Sequence, residues 1–356
     1  MQRKGNLIAL AVLVAGLALS LMVTPALAQK RGGVVNWFAY ADPARLDIQT
    51  EDPLVVQQAT AGIYSGLLQY SPDKPQDIVP DLALSYEVSN AGKTYPVHLR
   101  QGVKWHDGQP FSAEDVKATF DRVLKPDLKT PRCGSLMKPL VERVSVADAK
   151  TVRFELKFAA APFIPSVASA WCRILGKHVI EKFKDLQTAE AQIGTGPFKM
   201  KRYERGSIIE WERNPDYYVK GLPYLDGVKQ FVLVGAARQL AAAKAGQIHL
   251  WDTWPPMSKS QADELRTARG NDVKQYPWPI NTLWAVHLNV TKPPFADIRV
   301  RKAMSLAIDR KAISAATAPL GVVKNTPVPT ALSAWAIPFD KLGEGAKYHE
   351  HDPKEA

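Results

Sequence analysis

Leu99 to Val116 reads LRQGVKWHDGQPFSAEDV, and this stretch spells a strand, a turn and a helix in close succession. Val103 to Trp105 reads as extended, and Asp107 with Gly108 supplies the turn. Ser112 followed three residues later by Asp115 is a capping-box arrangement. Beyond it Val116, Phe120, Val123 and Leu124 form one apolar stripe, which must be laid against the preceding strands. N-terminal to the corner, Tyr86 to Ser89, a turn at Asn90 to Gly92, and Thr94 to Arg100 read as an antiparallel pair. On the other side, Val141 to Val146 and Thr151 to Phe158 read as a second hairpin around Asp148 to Lys150.

Further out the pattern changes. Gly33 to Tyr40 (GVVNWFAY) reads as a first strand, and Val55, Ala59, Ile63 and Leu67, four apart, predict a helix over Asp52 to Tyr70. A strand followed by a helix suggests an α/β lobe. Pro162 to Pro165 reads as a crossover back to it. Phe198 to Tyr203 and Ser207 to Trp211 form a hairpin, and Phe231 to Val234 a buried strand. Ala236 to Gly246 reads as a helix ended by glycine. Ile248 to Trp251 reads as a strand, Asp252 to Met257 as irregular chain and Leu283 to Asn289 as the last strand. Asp297 then caps a helix carrying Val300, Met304, Ala307 and Ile308.

The chain has 356 residues, with 46% hydrophobic and 23% charged residues, the balance of a folded protein of two or three domains. Its 27 prolines argue against a simple helical bundle. Arg3 and Lys4 precede an apolar run from Leu7 to Val23, followed by Pro25 and the small-x-small triplet Ala26, Leu27, Ala28: an export signal cut after Ala28, leaving Gln29 first. The competing reading is an uncleaved anchor helix. Two of the 46 Lys and Arg fall in that leader, and the 44 left against 35 Asp and Glu give +9. These charges are dispersed, with no basic block and no nucleic-acid-binding signature, so no nucleic-acid partner is expected. Cys133 and Cys172 are the only cysteines. In an oxidising compartment the default is a disulfide, contributing about 4 kcal/mol by closing the loop between them, with a free buried pair as the alternative.

The familiar chemical signatures fail. Gly92, Lys93 and Thr94 end like a phosphate loop, yet Glu87 stands where its first glycine belongs. Gly194, Thr195, Gly196 and Pro197 give only part of a dinucleotide fingerprint, and Pro197 lacks the amide that phosphate would need. There is no GxSxG, HExxH or CxxC, and His349, Glu350 and His351 read as a solvated tail, so neither cofactor nor metal is expected. His106 beside Asp107 reads as support for the turn rather than as a catalytic pair.

Four stretches in order resemble the extracytoplasmic solute-binding proteins of peptide- and nickel-type ABC importers, family 5. They are DLALSYEVSNAGKTY with LRQGVKWHDGQPFSAEDV, from Asp81 to Val116; GTGPFKMKRYERGSIIEWERNPDYY, Gly194 to Tyr218, with LPYLDGV after it; AKAGQIHL, Ala243 to Leu250; and LNVTKPPFADIRVRKAMSLAIDRKAI, Leu288 to Ile313. The resemblance implies a type II periplasmic-binding-protein-like α/β fold of two lobes with an extra inserted domain, closing on ligand by hinge motion. Residues 29–68 and 166–279 would form lobe I, 69–165 the inserted domain and 280–356 the start of lobe II. Similar chains run well over a hundred residues further, so the second lobe is expected to be incomplete, with weak binding and exposed apolar surface.

The implied role is a monomeric, non-enzymatic periplasmic receptor that captures a peptide-like solute and delivers it to an inner-membrane permease. A nickel chelate or other non-peptide solute is the alternative within transport, and an exported hydrolase the alternative outside it. Ligands of open α/β sheets sit beyond the C-terminal ends of strands. That rule and the resemblance select Thr50, Glu51 and Asp52, and Trp251, Asp252, Thr253 and Trp254, as cleft residues, with Trp251 in the core and the acids solvated as the plainer alternative. If the disulfide joins their loops, Arg132 and Trp171 form a rim where Arg132 receives a carboxylate.

Overall fold

A computed structural model describes residues 30–183, 185–251, 257–276, 285–317, 328–329, 332 and 336–356. In chain order come β1 (Val34–Ala39), α1 (Leu54–Thr60), β2 (Leu68–Tyr70), β3 (Ile78–Pro80), β4 (Ala83–Tyr86), β5 (Thr94–Leu99), α2 (Ala113–Leu124), α3 (Cys133–Met137), β6 (Val141–Asp148) and β7 (Thr151–Leu156). Then follow α4 (Phe163–Val167), α5 (Lys177–Lys182), β8 (Phe198–Glu204), β9 (Ile208–Arg213), β10 (Gly227–Val232), α6 (Ala236–Lys244), α7 (Lys259–Arg269), α8 (Ile298–Ala307) and α9 (Arg310–Thr317). One four-stranded sheet has the order β1-β10-β9-β8, with β1 and β10 parallel, and a second has the order β4-β5-β7-β6, antiparallel throughout. β2 and β3 form a small antiparallel pair.

The helix predicted at the opening motif forms and buries its predicted stripe. Val116, Phe120 and Val123 of α2 are buried against the inward residues of β5 (Tyr95, Val97, Leu99) and β7 (Val152, Phe154, Leu156). Phe120 meets Phe154 edge-on at 4.9 Å between ring centres, and Phe163 of α4 completes the cluster. Asp115 holds the corner: it accepts the Ser112 amide at 2.8 Å, the Trp105 indole N–H at 3.4 Å and the Lys177 amide at 2.8 Å. The resemblance to a phosphate loop at Gly92 is a hairpin turn, with Asn90, Ala91 and Gly92 all at positive φ.

The second signature stretch docks onto the first near both its ends. His106 donates its backbone N–H to the Gly194 carbonyl, its ring Nδ1 accepts the Gly194 amide at 3.2 Å, and Nε2 faces the Gly196 carbonyl at 3.1 Å. Asp107 pairs instead with His178, at 3.0 Å. Asp81 accepts the Gly66 amide at 2.9 Å and the Tyr218 hydroxyl, so the start of one stretch is tied to the end of NPDYY. The half-buried Arg173 lies in the same cluster. Burial pushes the Asp81 carboxyl up and the Arg173 guanidinium down.

The glycines of GTGP are there because backbone passes against backbone. A Cβ on Gly194 would stand 1.9 Å from the Ile63 carbonyl oxygen, and one on Gly196 2.6 Å from that of Gly62. Gly194→Ala is expected to lower the free energy of unfolding by about 1 to 3 kcal/mol. A urea midpoint equal to that of the unsubstituted chain would contradict the close approach.

Several sequence expectations are corrected. The helix over Asp52 to Tyr70 stops at Thr60, because its four-residue recurrence does not describe one face. Val55 packs beside Ala39, Ile63 under Trp211, and Leu67 in the α2 core. Pro162 to Pro165 is no extended crossover but the start of α4, where proline is tolerated because first-turn amides have no helical partner. The strand placed at Phe231 to Val234 is β10, beginning at Gly227 and ending at Val232. Ile248 to Trp251 joins no ladder, although His249 reaches Asn36 of β1 through its amide and its ring. Leu283 and Trp284 lie outside the described residues, and the chain from 285 to 289 is not a strand. Asp297 does cap α8, accepting the Arg299 amide at 2.8 Å, and Val286, Val290, Ile298 and Ile313 in this region are exposed.

Candidate functional site

The loop after β1 is fixed at each end and in the middle. Tyr203 of β8 places its hydroxyl 3.0 Å from Asp42 Oδ1 and 2.8 Å from the Pro43 carbonyl, and Arg205 donates to the Ala44 carbonyl at 2.8 Å. Burial first, then Asp42, pushes Tyr203 up to about 12, so its hydroxyl keeps its proton. The amides of Thr50 and Glu51 both donate to the Asp47 carbonyl, at 3.2 and 3.1 Å, which rolls Asp47 to Glu51 into a turn. The Glu51 carboxylate lies 3.9 Å from the exposed Arg45 guanidinium.

At the far end of the loop three of the sequence-selected residues meet. Arg132 donates from Nε and Nη2 to the Asp52 carbonyl, at 3.3 and 3.1 Å, and its guanidinium carbon lies 5.1 Å from the centre of the Trp171 ring, a cation–π distance. Cys133 and Cys172, the neighbours of Arg132 and Trp171, are joined in a disulfide with Cα atoms 5.0 Å apart. Arg132 is exposed, and its Nη1 has no hydrogen-bond partner among the described residues. The expectation for Asp52 changes in one respect: its backbone oxygen, not its carboxylate, engages the rim.

Trp251, itself partly buried, packs edge-on against Phe38 at 5.3 Å and joins the buried cluster of Phe38, Ala242, Ala243, Ile248 and Leu265, while the next residue of β1, Ala39, packs with Val55 and Val56 of α1. Phe38 and Ala39 alternate across the strand, so Trp251 and the segment leading into α1 approach opposite faces of one sheet near the C-terminal end of β1. Asp252, Thr253 and Trp254 lie outside the described residues.

Sequence reasoning missed the middle fixing point. Arg122, in the last turn of α2, donates from Nη2 to Asp47 Oδ2 and from Nη1 to Gln49 Oε1, both at 2.5 Å. The side chains of Asp47 and Arg122 are only 4% and 15% exposed. Nothing local flags Arg122, whose partner lies 75 residues back. Tyr64, buried beside this pair, is pushed well up by burial and stays a hydroxyl donor, to Gln192 Oε1 at 2.9 Å.

Among the described residues no group of three or more His, Cys, Asp and Glu converges as a metal site. His349 packs edge-on against Phe339, and His351 stands 3.6 Å from Asp309. The arrangement suits holding a ligand: a guanidinium seated on an indole, beside a fixed loop at a strand end. No helix among the described residues is long and apolar enough to cross a membrane.

The fold is that of the two-lobed α/β solute-binding proteins. The profile described as "Bacterial extracellular solute-binding proteins, family 5 Middle" matches residues 77–356, and the chain belongs to that family. A glutathione-binding protein of Salmonella typhi is 30% identical over 299 residues, covering 84% of this chain and 56% of its own length. The dipeptide-binding protein of Escherichia coli K12 is 28% identical over 256 residues, 67% of this chain and 47% of the relative. Among solved structures, the oligopeptide-binding protein of Bacillus subtilis in complex with a nonapeptide superposes with a TM-score of 0.71 at 25% identity, over 92% of this chain and 63% of that one. A Helicobacter pylori periplasmic binding protein in complex with the peptide STSA gives 0.72 at 25% identity, over 92% and 65%. The chain thus spans roughly half to two thirds of the length of these relatives.

Proposed function

We propose that this protein is the receptor component of an ABC importer. It captures a peptide-like small solute between two lobes and hands it to an inner-membrane permease, without chemical change to the solute. The observation that carries this reading is the corner of Arg132, Trp171 and the Asp52 carbonyl at the end of the loop after β1. Its Nη1 edge, without a partner among the described residues, suits a terminal carboxylate, and the exposed Asp52 carboxylate nearby suits an ammonium group. The names of the relatives, which bind glutathione, dipeptides and longer peptides, support the same ligand class. Residues 29–68 with 166–279 serve as lobe I, 69–165 as the inserted domain and 280–356 as the start of lobe II. The leader is removed after Ala28 on export, and the protein works as a monomer in the periplasm.

Isothermal titration with dipeptides, tripeptides, glutathione and a nickel–histidine chelate tests this. A peptide or glutathione is expected to bind, and Arg132→Ala and Trp171→Ala each to weaken it tenfold or more, equivalent to about 1.4 kcal/mol. Binding that survives both substitutions unchanged would remove the corner from the cleft. Binding of the chelate alone, or turnover of any peptide, would replace the reading itself. The exported protein should begin at Gln29 by N-terminal sequencing.

A further inference from the structure

We infer that Arg122 is a positioning residue, through which the segment 69–165 sets the shape of the loop that carries Thr50, Glu51 and Asp52. This rests on the proposal that those residues face the ligand. Asp47 organises the turn: its carbonyl takes the amides of Thr50 and Glu51, and its Oδ1 takes the amide of Gln49 at 3.0 Å. Asp47 is itself held from outside the loop. Arg122 Nη2 lies 2.5 Å from Oδ2 and Nη1 lies 3.3 Å from Oδ1, a two-pronged contact that fixes the carboxylate in a plane as a lysine ammonium would not.

Gln49 shows what this arrangement costs. Its side chain is buried, its Oε1 accepts Arg122 Nη1 at 2.5 Å, and its Nε2 has no partner among the described residues. A buried donor without a partner is unfavourable, so the contact through Oε1 has to be worth keeping. Arg122 in turn stands on a rigid base. It lies at the end of α2, whose N-terminus Asp115 ties to Trp105 and Lys177 and whose apolar stripe is sealed against β5 and β7. Arg132, from the same segment, fixes the other end of the loop at the Asp52 carbonyl. Two arginines thus span the turn from Asp47 to Asp52, and a loop set in advance loses less freedom on binding.

Amide hydrogen exchange tests this in the ligand-free full chain, so the outcome does not depend on identifying the solute. In Arg122→Leu the amides of Gln49, Thr50 and Glu51 are expected to exchange at least tenfold faster. Those of Val97 in β5 and Phe154 in β7 should change far less, and Arg122→Lys should restore part of the protection. Equal acceleration in loop and core would mean that Arg122 supports the fold at large, and unchanged loop exchange would mean that it positions nothing; either overturns the inference. Should Arg122→Leu not fold, Arg122→Lys decides alone: severalfold faster exchange at the three amides supports it, and exchange equal to the unsubstituted chain overturns it.

Discussion

Replacing Cys133 and Cys172 together with alanine is expected to lower the free energy of unfolding by about 4 kcal/mol. The bridge joins positions 39 apart in sequence and closes a loop containing the whole β6–β7 hairpin and α4. In the folded state that hairpin is already held by its pairing with β5 and by the α2 core, so the bridge adds little there. Its main effect falls on the unfolded chain, whose freedom it restricts. The urea midpoint should therefore drop sharply, and a midpoint matching that of the unsubstituted chain would contradict the constraint. The sulfurs are buried, so native protein should resist alkylation until it is both unfolded and reduced. The substitution should reach the site as well. An exposed cation–π contact contributes only about 0.5 to 1 kcal/mol, too little to keep Arg132 over Trp171 once their neighbours are untethered.

What could be read from the sequence followed the range of the physics involved. α2 was legible because its capping residues, turn and apolar stripe lie within a few turns of one another, and β5 and β7 because their alternation is local. The helix from α1 onward was over-extended because Val55, Ala59, Ile63 and Leu67 matched a helical period by coincidence: Val55 packs with Ala39, Ala59 and Ile63 in the cluster of Trp211, and Leu67 in the α2 core. No local rule distinguishes that case. At the site, Arg132 and Trp171 could be selected because each adjoins a cysteine, and one covalent bond brings both neighbours along. Arg122 could not be selected in this way. It lies at the polar edge of an amphipathic helix, where an arginine ordinarily meets water, and only the assembled fold places Asp47 and Gln49 against it.

The signature stretches explain one another in the same terms. GTGP is glycine-rich so that it can lie on the backbone of Gly62 and Ile63, and HDG presents the imidazole that grips it there. These residues hold the antiparallel sheet of β4 to β7 to the chain that leads into β8. Their regularity thus reports a joint in the architecture.

That joint should make the protein acid-sensitive. His106 is expected to remove about 3 kcal/mol of stability as pH falls from roughly 6.5 to 4. Burial, with Lys199 adding to it, lowers the ring to about 4, against weaker opposing effects from the Gly196 carbonyl and Asp107. Nδ1 already accepts the Gly194 amide, so a second ring proton would break that bond. Above the unfolded value both states are neutral and the stabilisation is complete. Between the two values the unfolded chain takes up a proton that the folded chain refuses, so stability falls with pH at a slope approaching 1.4 kcal/mol per unit. Below about 4 the loss is complete. Asp81 acts with the opposite sign: its raised carboxyl holds a proton more tightly in the folded state and offsets part of the loss at the acid end. Urea midpoints between pH 7.5 and 4.5 should therefore decline more steeply for the unsubstituted chain than for His106→Gln, which starts lower but lacks the titrating ring. Parallel declines would show that the imidazole between Gly194 and Gly196 is protonated as readily in the folded protein as in the unfolded one.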